Sequence, residues 1–219
     1  VTGSNSKMLS KDVITEFRGR GDQIHIYPLS FKEYYDSVNL SFEDAYLEYQ
    51  YYGGMPYLLS IDDEKRKQEY LKDLFSEIYI KDITERNGIK NIDSFETLLN
   101  ILSSSIGSYT NPGKLEKTFK SVEKVVYDHD TIKKHIDCIK DAYLISEAKR
   151  YDIKRKKYIG SNSKYYFTDV GLRNALINFR QDEPTHIMEN IIYNDLLQKG
   201  YSVDVGIVEI NSKTEKGNY

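Results

Sequence analysis

Two groups of residues in this chain could do chemistry, and they lie far apart in the sequence. At the start, Val1-Thr2-Gly3-Ser4-Asn5-Ser6 sets a glycine and small polar side chains directly after β-branched residues. That is the makeup of a parallel strand ending beside a bound phosphate. Asn5, with Ser4 beside it, would be a neutral donor–acceptor there, and phosphoryl transfer depends on positioning and charge stabilisation rather than on covalent help. The plain alternative is a Gly-Ser-Asn turn in which Ser4 or Ser6 caps the next helix. Arg18 and Arg20 flank Gly19. Either guanidinium could stabilise charge on a transferring phosphoryl group, and either could simply favour the end of a helix.

The second group is basic. Lys149, Arg150, Lys154, Arg155, Lys156 and Lys157 are interrupted among the charged residues only by Asp152, with Lys164 expected across a turn and Tyr151, Tyr158, Tyr165 and Tyr166 interleaved. On an exposed hairpin these cations would run along a phosphate backbone, while Lys133, Lys134 and Lys140 on a preceding helix would face a groove. Such contacts give salt-dependent affinity and little sequence reading. A solvated hairpin whose lysines guard an edge strand is the plain alternative. The whole chain carries a net charge of −3, so any contact with nucleic acid must come from a local patch.

Other chemistries are poorly supplied. No GxxxxGK[ST] loop occurs, and Gly19-Arg20-Gly21 and Gly53-Gly54 lack the lysine and hydroxyl of a phosphate cradle. No apolar strand ending in paired acids stands ahead of Val1 to hold Mg²⁺. His25, His129, His135 and His186 are scattered, and His135 with Cys138 gives two ligands where zinc needs four. No metal site is expected, and there is no nucleophile signature. The single Cys138 cannot form an internal disulfide, which fits a reducing cytoplasm. No run of about eighteen apolar residues is present, so no membrane contact is expected.

The elements that must position these residues follow from periodicity. Residues 8–18 read as a short amphipathic helix and Gln23 to Tyr27 as a strand stopped by Pro28. Ser30 and Glu33 form a capping box, with Leu29 and Tyr34 placed as a hydrophobic staple, and Ser41 with Asp44 opens Phe42 to Tyr52. Glu64 to Ile83 reads as one long helix. The pattern changes near Asn87-Gly88. Three helices follow, capped at Asp93 or Ser94, starting after the Asn111-Pro112-Gly113 turn, and capped at Asp128 or Asp130. Two strands, Tyr143 to Tyr158 and Lys164 to Phe167, are expected to join through Gly160-Ser161-Asn162-Ser163. Three helices and a hairpin in that order give a winged helix-turn-helix. The end holds a helix from Ile187 to Lys199, a strand from Tyr201 to Ile210, and a polar tail with no further element. Asp204 and Glu209 fall on opposite faces of that strand and cannot act together. The fold class is mainly α with small β elements (α+β).

Six stretches in order resemble a family of prokaryotic AAA-type ATPases that carry a C-terminal domain of unknown function. They are Val1–Ser6, Gly19-Arg20, Pro28-Leu29-Ser30-Phe31-Lys32-Glu33-Tyr34, Gly53-Gly54-Met55-Pro56, Lys164 to Leu172, and Glu189-Asn190-Ile191-Ile192-Tyr193. The resemblance implies that Val1–Ser6 is a sensor-1 strand end, with Asn5 and Ser4 at the γ-phosphate, and that Arg20 is an arginine finger. It also implies a helical lid. On this reading residues 1–86 are the end of an ATPase core and its lid, 87–180 a winged-helix unit, and 181–219 the start of a nuclease-like domain opened by Glu189. Both ends are then expected to be cuts in a longer protein. That parent would use ATP and Mg²⁺ in a slow switch coupled to the winged helix, and this chain alone would not bind ATP productively. DNA, a protein partner or a second copy are the partners implied. The competing class is a non-enzymatic DNA- or protein-binding module.

Overall fold

The computed structural model describes residues 24–123, 127–180, 183–211 and 216–218. Helix α1 (Phe31–Ser37) starts with the expected capping box: Ser30 N–H donates to Glu33 Oε2 at 2.8 Å, and Glu33 N–H donates to Ser30 Oγ at 3.3 Å. Such a reciprocal cap satisfies two amides that a helix start otherwise leaves open. Helix α2 (Phe42–Tyr52) is capped by Ser41, which accepts from Asp44 N–H at 3.1 Å. After a one-turn helix at Pro56–Ser60, α3 (Glu64–Asp73) runs through π-helical turns at Leu74–Ile80 into α4 (Lys81–Asn87). The long helix therefore extends past the expected Ile83 and is irregular in its middle, where a single 3.6-residue period does not hold.

Helix α5 (Ile92–Ser104) begins one turn earlier than its apolar stripe suggests, because Asn91 rather than Asp93 or Ser94 accepts the first amide. Its residues Phe95, Leu98, Leu99 and Leu102 are fully or almost fully buried, and removing such a side chain from water is worth roughly 1.5–3 kcal/mol. Asn111 caps α6 (Pro112–Thr118), which places Pro112 at the first helical position where its missing N–H costs nothing. Asp128 caps α7 (His129–Asp141), which buries Ile132, Ile136 and Ile139.

The hairpin differs from expectation. Strand β1 (Ile145–Asp152) pairs antiparallel with β2 (Lys157–Phe167), from Ile145 opposite Phe167 to Asp152 opposite Lys157. The turn is at residues 153–156, closed by Lys156 in the left-handed region (φ 50°). Gly160 to Ser163, expected as the turn, lies inside β2. There the register slips between Lys149 and Tyr151, and the extra residues are taken up as a bulge. Tyr143, expected to begin the strand, instead closes α7 at φ 57°. A bridge between Thr110 and Ser163 ties the α5–α6 connection to β2 through two backbone bonds of 2.9 Å.

After the hairpin come α8 (Val170–Leu176) and α9 (Pro184–Gln198). The expected last strand is broken into β3 (Val205–Ile207), which joins β1 in parallel, and β4 (Glu209–Asn211). Contrary to the expected featureless tail, β5 (Lys216–Asn218) pairs with β4. The main sheet has the order β2-β1-β3. Residues 24–27 pair with no strand among the described residues, and Ile24 and Ile26 are exposed. The helix expected at 8–18 lies outside the described residues.

One large core runs from Tyr52 through α3, α4 and the next three helices to Ala175, crossing the position near residue 87 where the sequence pattern changes. A smaller cluster joins Tyr34, Ala45 and Tyr49 to Val170, Ile187 and Ile191. A third sets Ala148 and Tyr166 under Tyr193, whose ring stacks on Tyr166 at 4.3 Å.

Candidate functional site

Four residues of the basic group gather in one place. Lys154, Arg155, Lys156 and Lys157 are all exposed at the hairpin turn and the start of β2. Their placement is set by Asp152, a buried carboxylate that accepts from the Arg155 amide at 2.8 Å and lies 3.6 Å from its guanidinium. A turn pinned by its own aspartate thus carries four neighbouring exposed cations. Lys133 and Lys134 are exposed on α7, which packs against β1. Lys140 is occupied differently, bonding Glu147 at 2.6 Å. Burial raises the Glu147 carboxyl, but hydrogen bonds from Lys140 and Ser163 outweigh it and leave its pKa below the ordinary value.

Lys164 does not share the tip. Its ammonium bonds Glu189 at 2.7 Å, lies 5.4 Å from the Tyr109 ring centre, and is mostly buried. Glu189 also accepts from Tyr166 Oη at 2.6 Å. The Glu189 carboxylate is thus engaged by the sheet, and among the described residues no three His, Cys, Asp or Glu side chains gather where a metal ion could be held. Asp204 lies against the hairpin, accepting from Tyr158 Oη at 2.7 Å and from the Lys149 amide at 3.1 Å. Ser4, Asn5 and Arg20 lie outside the described residues.

A second constellation was not legible as one. Asp169 caps α8 through the Leu172 amide (2.9 Å) and also accepts from the Gly54 amide at 2.7 Å, 115 residues away in sequence. It is fully enclosed, and burial pushes its carboxyl up to about 6 against the pull of the Gly54, Leu172 and Gly171 amides. Beside it, Asn174 Nδ2 donates to the carbonyls of Gln50 and Tyr51, both at 2.9 Å. Asn190 forms a two-way bond with the Phe167 backbone at 2.8 and 2.7 Å. In the sequence Asp169 stands within the resembling stretch Lys164 to Leu172 with no role of its own; its burial and its distant partner carry no local signature.

The fold is thus a helical body that holds a small mixed sheet and presents a basic hairpin. A model described as a domain of unknown function, DUF8612, matches residues 43–183, and the chain belongs to that family. An AAA domain model matches residues 1–35. An uncharacterized protein of Haemophilus influenzae is 37% identical over 211 residues, covering 94% of this chain and 52% of that protein. An uncharacterized protein of Methanocaldococcus jannaschii is 30% identical over 225 residues, covering 97% of this chain and 50% of its own length. The chain therefore spans about half the length of the curated relatives it matches.

The AAA family implies ATP and Mg²⁺ in a parent protein. The described residues do not fit that group. The Gly54 N–H of the Gly53–Gly54 turn already holds the Asp169 carboxylate. No helix among the described residues is long and apolar enough to cross a membrane.

Proposed function

We propose that this chain is the part of an AAA-type ATPase in which the last segment of the nucleotide-binding core leads into a winged-helix unit, and that the unit contacts nucleic-acid phosphates through its hairpin tip. The observation that carries the reading is the tip itself: four exposed cations in succession, in a turn tied to Asp152 through the Arg155 amide, on a chain whose net charge is negative. The order α5, bridge at Thr110, α6, α7, β1, β2 supports a winged helix, because the bridge supplies the short strand that such a unit places between its first two helices. The AAA match over residues 1–35 supports the ATPase half. Residues 181–219 would open a further nuclease-like domain, in which Glu189 is a structural remnant held by Lys164 and Tyr166.

Binding of the chain to duplex DNA, measured at several salt concentrations, tests the first half. The variant Lys154→Gln/Lys156→Gln/Lys157→Gln is expected to flatten the slope of log affinity against log salt by about 2–3, since each phosphate contact contributes roughly 0.9. An unchanged slope would remove the tip from the reading and favour a protein-docking role. For the ATPase half, Asn5→Ala in the longer parent protein should lower ATP turnover by about 100-fold or more, as loss of one positioned polar group in a transition-state site does. Arg20→Ala should do the same, while Arg18→Ala should not. Equal losses for the two arginines would undo the assignment of Arg20.

A further inference from the structure

Helices α1 and α2 leave the body through a neck. Leu29 leads in and Gly53–Gly54 leads out. Leu29 N–H donates to the Gly54 carbonyl at 2.8 Å, and Tyr49 Oη donates to the Leu29 carbonyl at 2.7 Å, so the two sides of the neck are tied together. Beyond it, the pair contributes Tyr34, Ala45 and Tyr49 to a small apolar cluster with Val170, Ile187 and Ile191. Of the buried residues in α1 and α2, only Tyr52, at the neck itself, belongs to the main core. The way out is a glycine in a positive-φ conformation, Gly53 at φ 77°, a conformation other residues adopt at a cost. A tied neck, a glycine turn and a small apolar contact with α8 and α9, distinct from the main core, are the parts of a hinge.

The body grips this neck by polar contacts. Asp169 takes the Gly54 amide, Asn174 takes the carbonyls of Gln50 and Tyr51, and Gln198 Nε2 donates to the Pro28 carbonyl at 3.0 Å. Of the three amides that hold the Asp169 carboxylate, Gly171 and Leu172 belong to its own helix and only Gly54 belongs to the neck. Opening the neck costs that bond together with the Asn174 and Gln198 bonds and the packing of α2 on α8, while water that reaches the enclosed anion restores part of its hydration. The phenols of Tyr49, Tyr70 and Tyr79, neutral and pushed further up by its charge, are the titratable groups that feel Asp169, and among the described residues no salt bridge reaches it. The enclosed carboxylate is therefore held by geometry rather than by a counter-ion.

We propose that α1 and α2 form a hinged element that swings about Gly53–Gly54, and that Asp169 is the latch that holds it against the body. The AAA match ends inside α1, so the moving piece is continuous with the segment assigned above to an ATPase core. That consequence rests on the proposed function; the opening itself does not.

Native-state hydrogen exchange on the full chain tests it without nucleotide or DNA. In the wild type, the amides of Leu29, Ala45, Gly53 and Gly54 are expected to exchange together, about tenfold or more faster than those of Phe95 and Ile132 in the main core. Asp169→Asn turns an amide donor toward amide donors and should speed the first set about tenfold further while leaving the second unchanged. Exchange of both sets at one common rate in the wild type would overturn the hinge, and that comparison stands even if the variant does not fold. Equal acceleration of both sets by Asp169→Asn would overturn the latch. Loss of ATP turnover or DNA binding bears only on the proposed function.

Discussion

Gly171→Ala is expected to destabilise the chain by roughly 3 kcal/mol or more, a fall of about 10 °C in Tm. Helix propensity predicts the opposite sign. Gly171 lies in the first turn of α8, and alanine is favoured over glycine in a helix by up to about 1 kcal/mol. Packing decides the outcome. A Cβ on Gly171 would stand 1.8 Å from the carbonyl oxygen of Tyr52 and 2.4 Å from its carbon, and both are backbone atoms at the neck of the α1–α2 pair. They cannot turn aside as a side chain can. Relief requires lifting α2 from α8, which breaks the Gly54–Asp169 bond and the two Asn174 caps as well. Thermal melts of the two proteins measure this, and an alanine variant as stable as the wild type would show that α2 is not seated where described.

The same contact explains what the resembling stretches have in common. Pro28-Leu29, Gly53-Gly54, the run from Phe167 to Leu172 and Glu189-Asn190 are four separate pieces of sequence. In the fold they meet: Leu29 pairs with Gly54, Gly54 with Asp169, and Asn190 with Phe167. Read singly, Pro28-Leu29 marked a strand end and a helix start, Gly53-Gly54 lacked the residues of a phosphate cradle, and Glu189 opened a nuclease-like domain. Their shared role is to join segments that lie from 23 to 115 residues apart, and a single sequence carries no mark of such pairing. The caps at Ser30, Ser41 and Asp128 were readable because a cap concerns residues two or three positions apart, whereas Asn111, read as part of a turn, is itself a cap.

The hairpin shows the reverse error. Gly160-Ser161-Asn162-Ser163 has strong turn composition, whereas Ile153-Lys154-Arg155-Lys156 has almost none. The chain turns at the second because Asp152 replaces local turn chemistry with its own side chain, taking the Arg155 amide. Glycine at 160 is used within the bulge instead, at φ 69°. The shift matters for function. With the turn at 160–163 the cations would have lain along a strand, half of them facing the core. With the turn at 153–156 they gather at the tip, and Lys164 falls back to Glu189.

Arg173 makes the second large prediction. It is the bulkiest fully buried side chain among the described residues. Its Nε donates to the Ser103 carbonyl at 2.8 Å, its Nη1 to Asn174 Oδ1 at 3.1 Å, and its Nη2 to Glu183 Oε2 at 2.7 Å. One guanidinium therefore satisfies a carbonyl left open at the end of α5, orients the asparagine that caps α2, and holds the residue before α9. Burial holds its pKa below the ordinary value against the opposing pull of Glu183, whose own side chain is 32% exposed. Arg173→Ala is expected to cost about 3–5 kcal/mol, because it leaves Glu183 and the Ser103 carbonyl without their partner. Arg173→Lys should recover only part of this, since a single ammonium cannot reach three acceptors in a plane. The exposed pair Lys32–Asp36 is as short, at 2.7 Å, but its side chains are 81% and 55% exposed, and Lys32→Ala should change stability by less than about 0.5 kcal/mol. Urea unfolding of the three variants separates the cases. Similar losses at Arg173 and Lys32 would mean that the buried network contributes no more than a surface ion pair, and that α5, α8 and α9 are held by their apolar contacts alone.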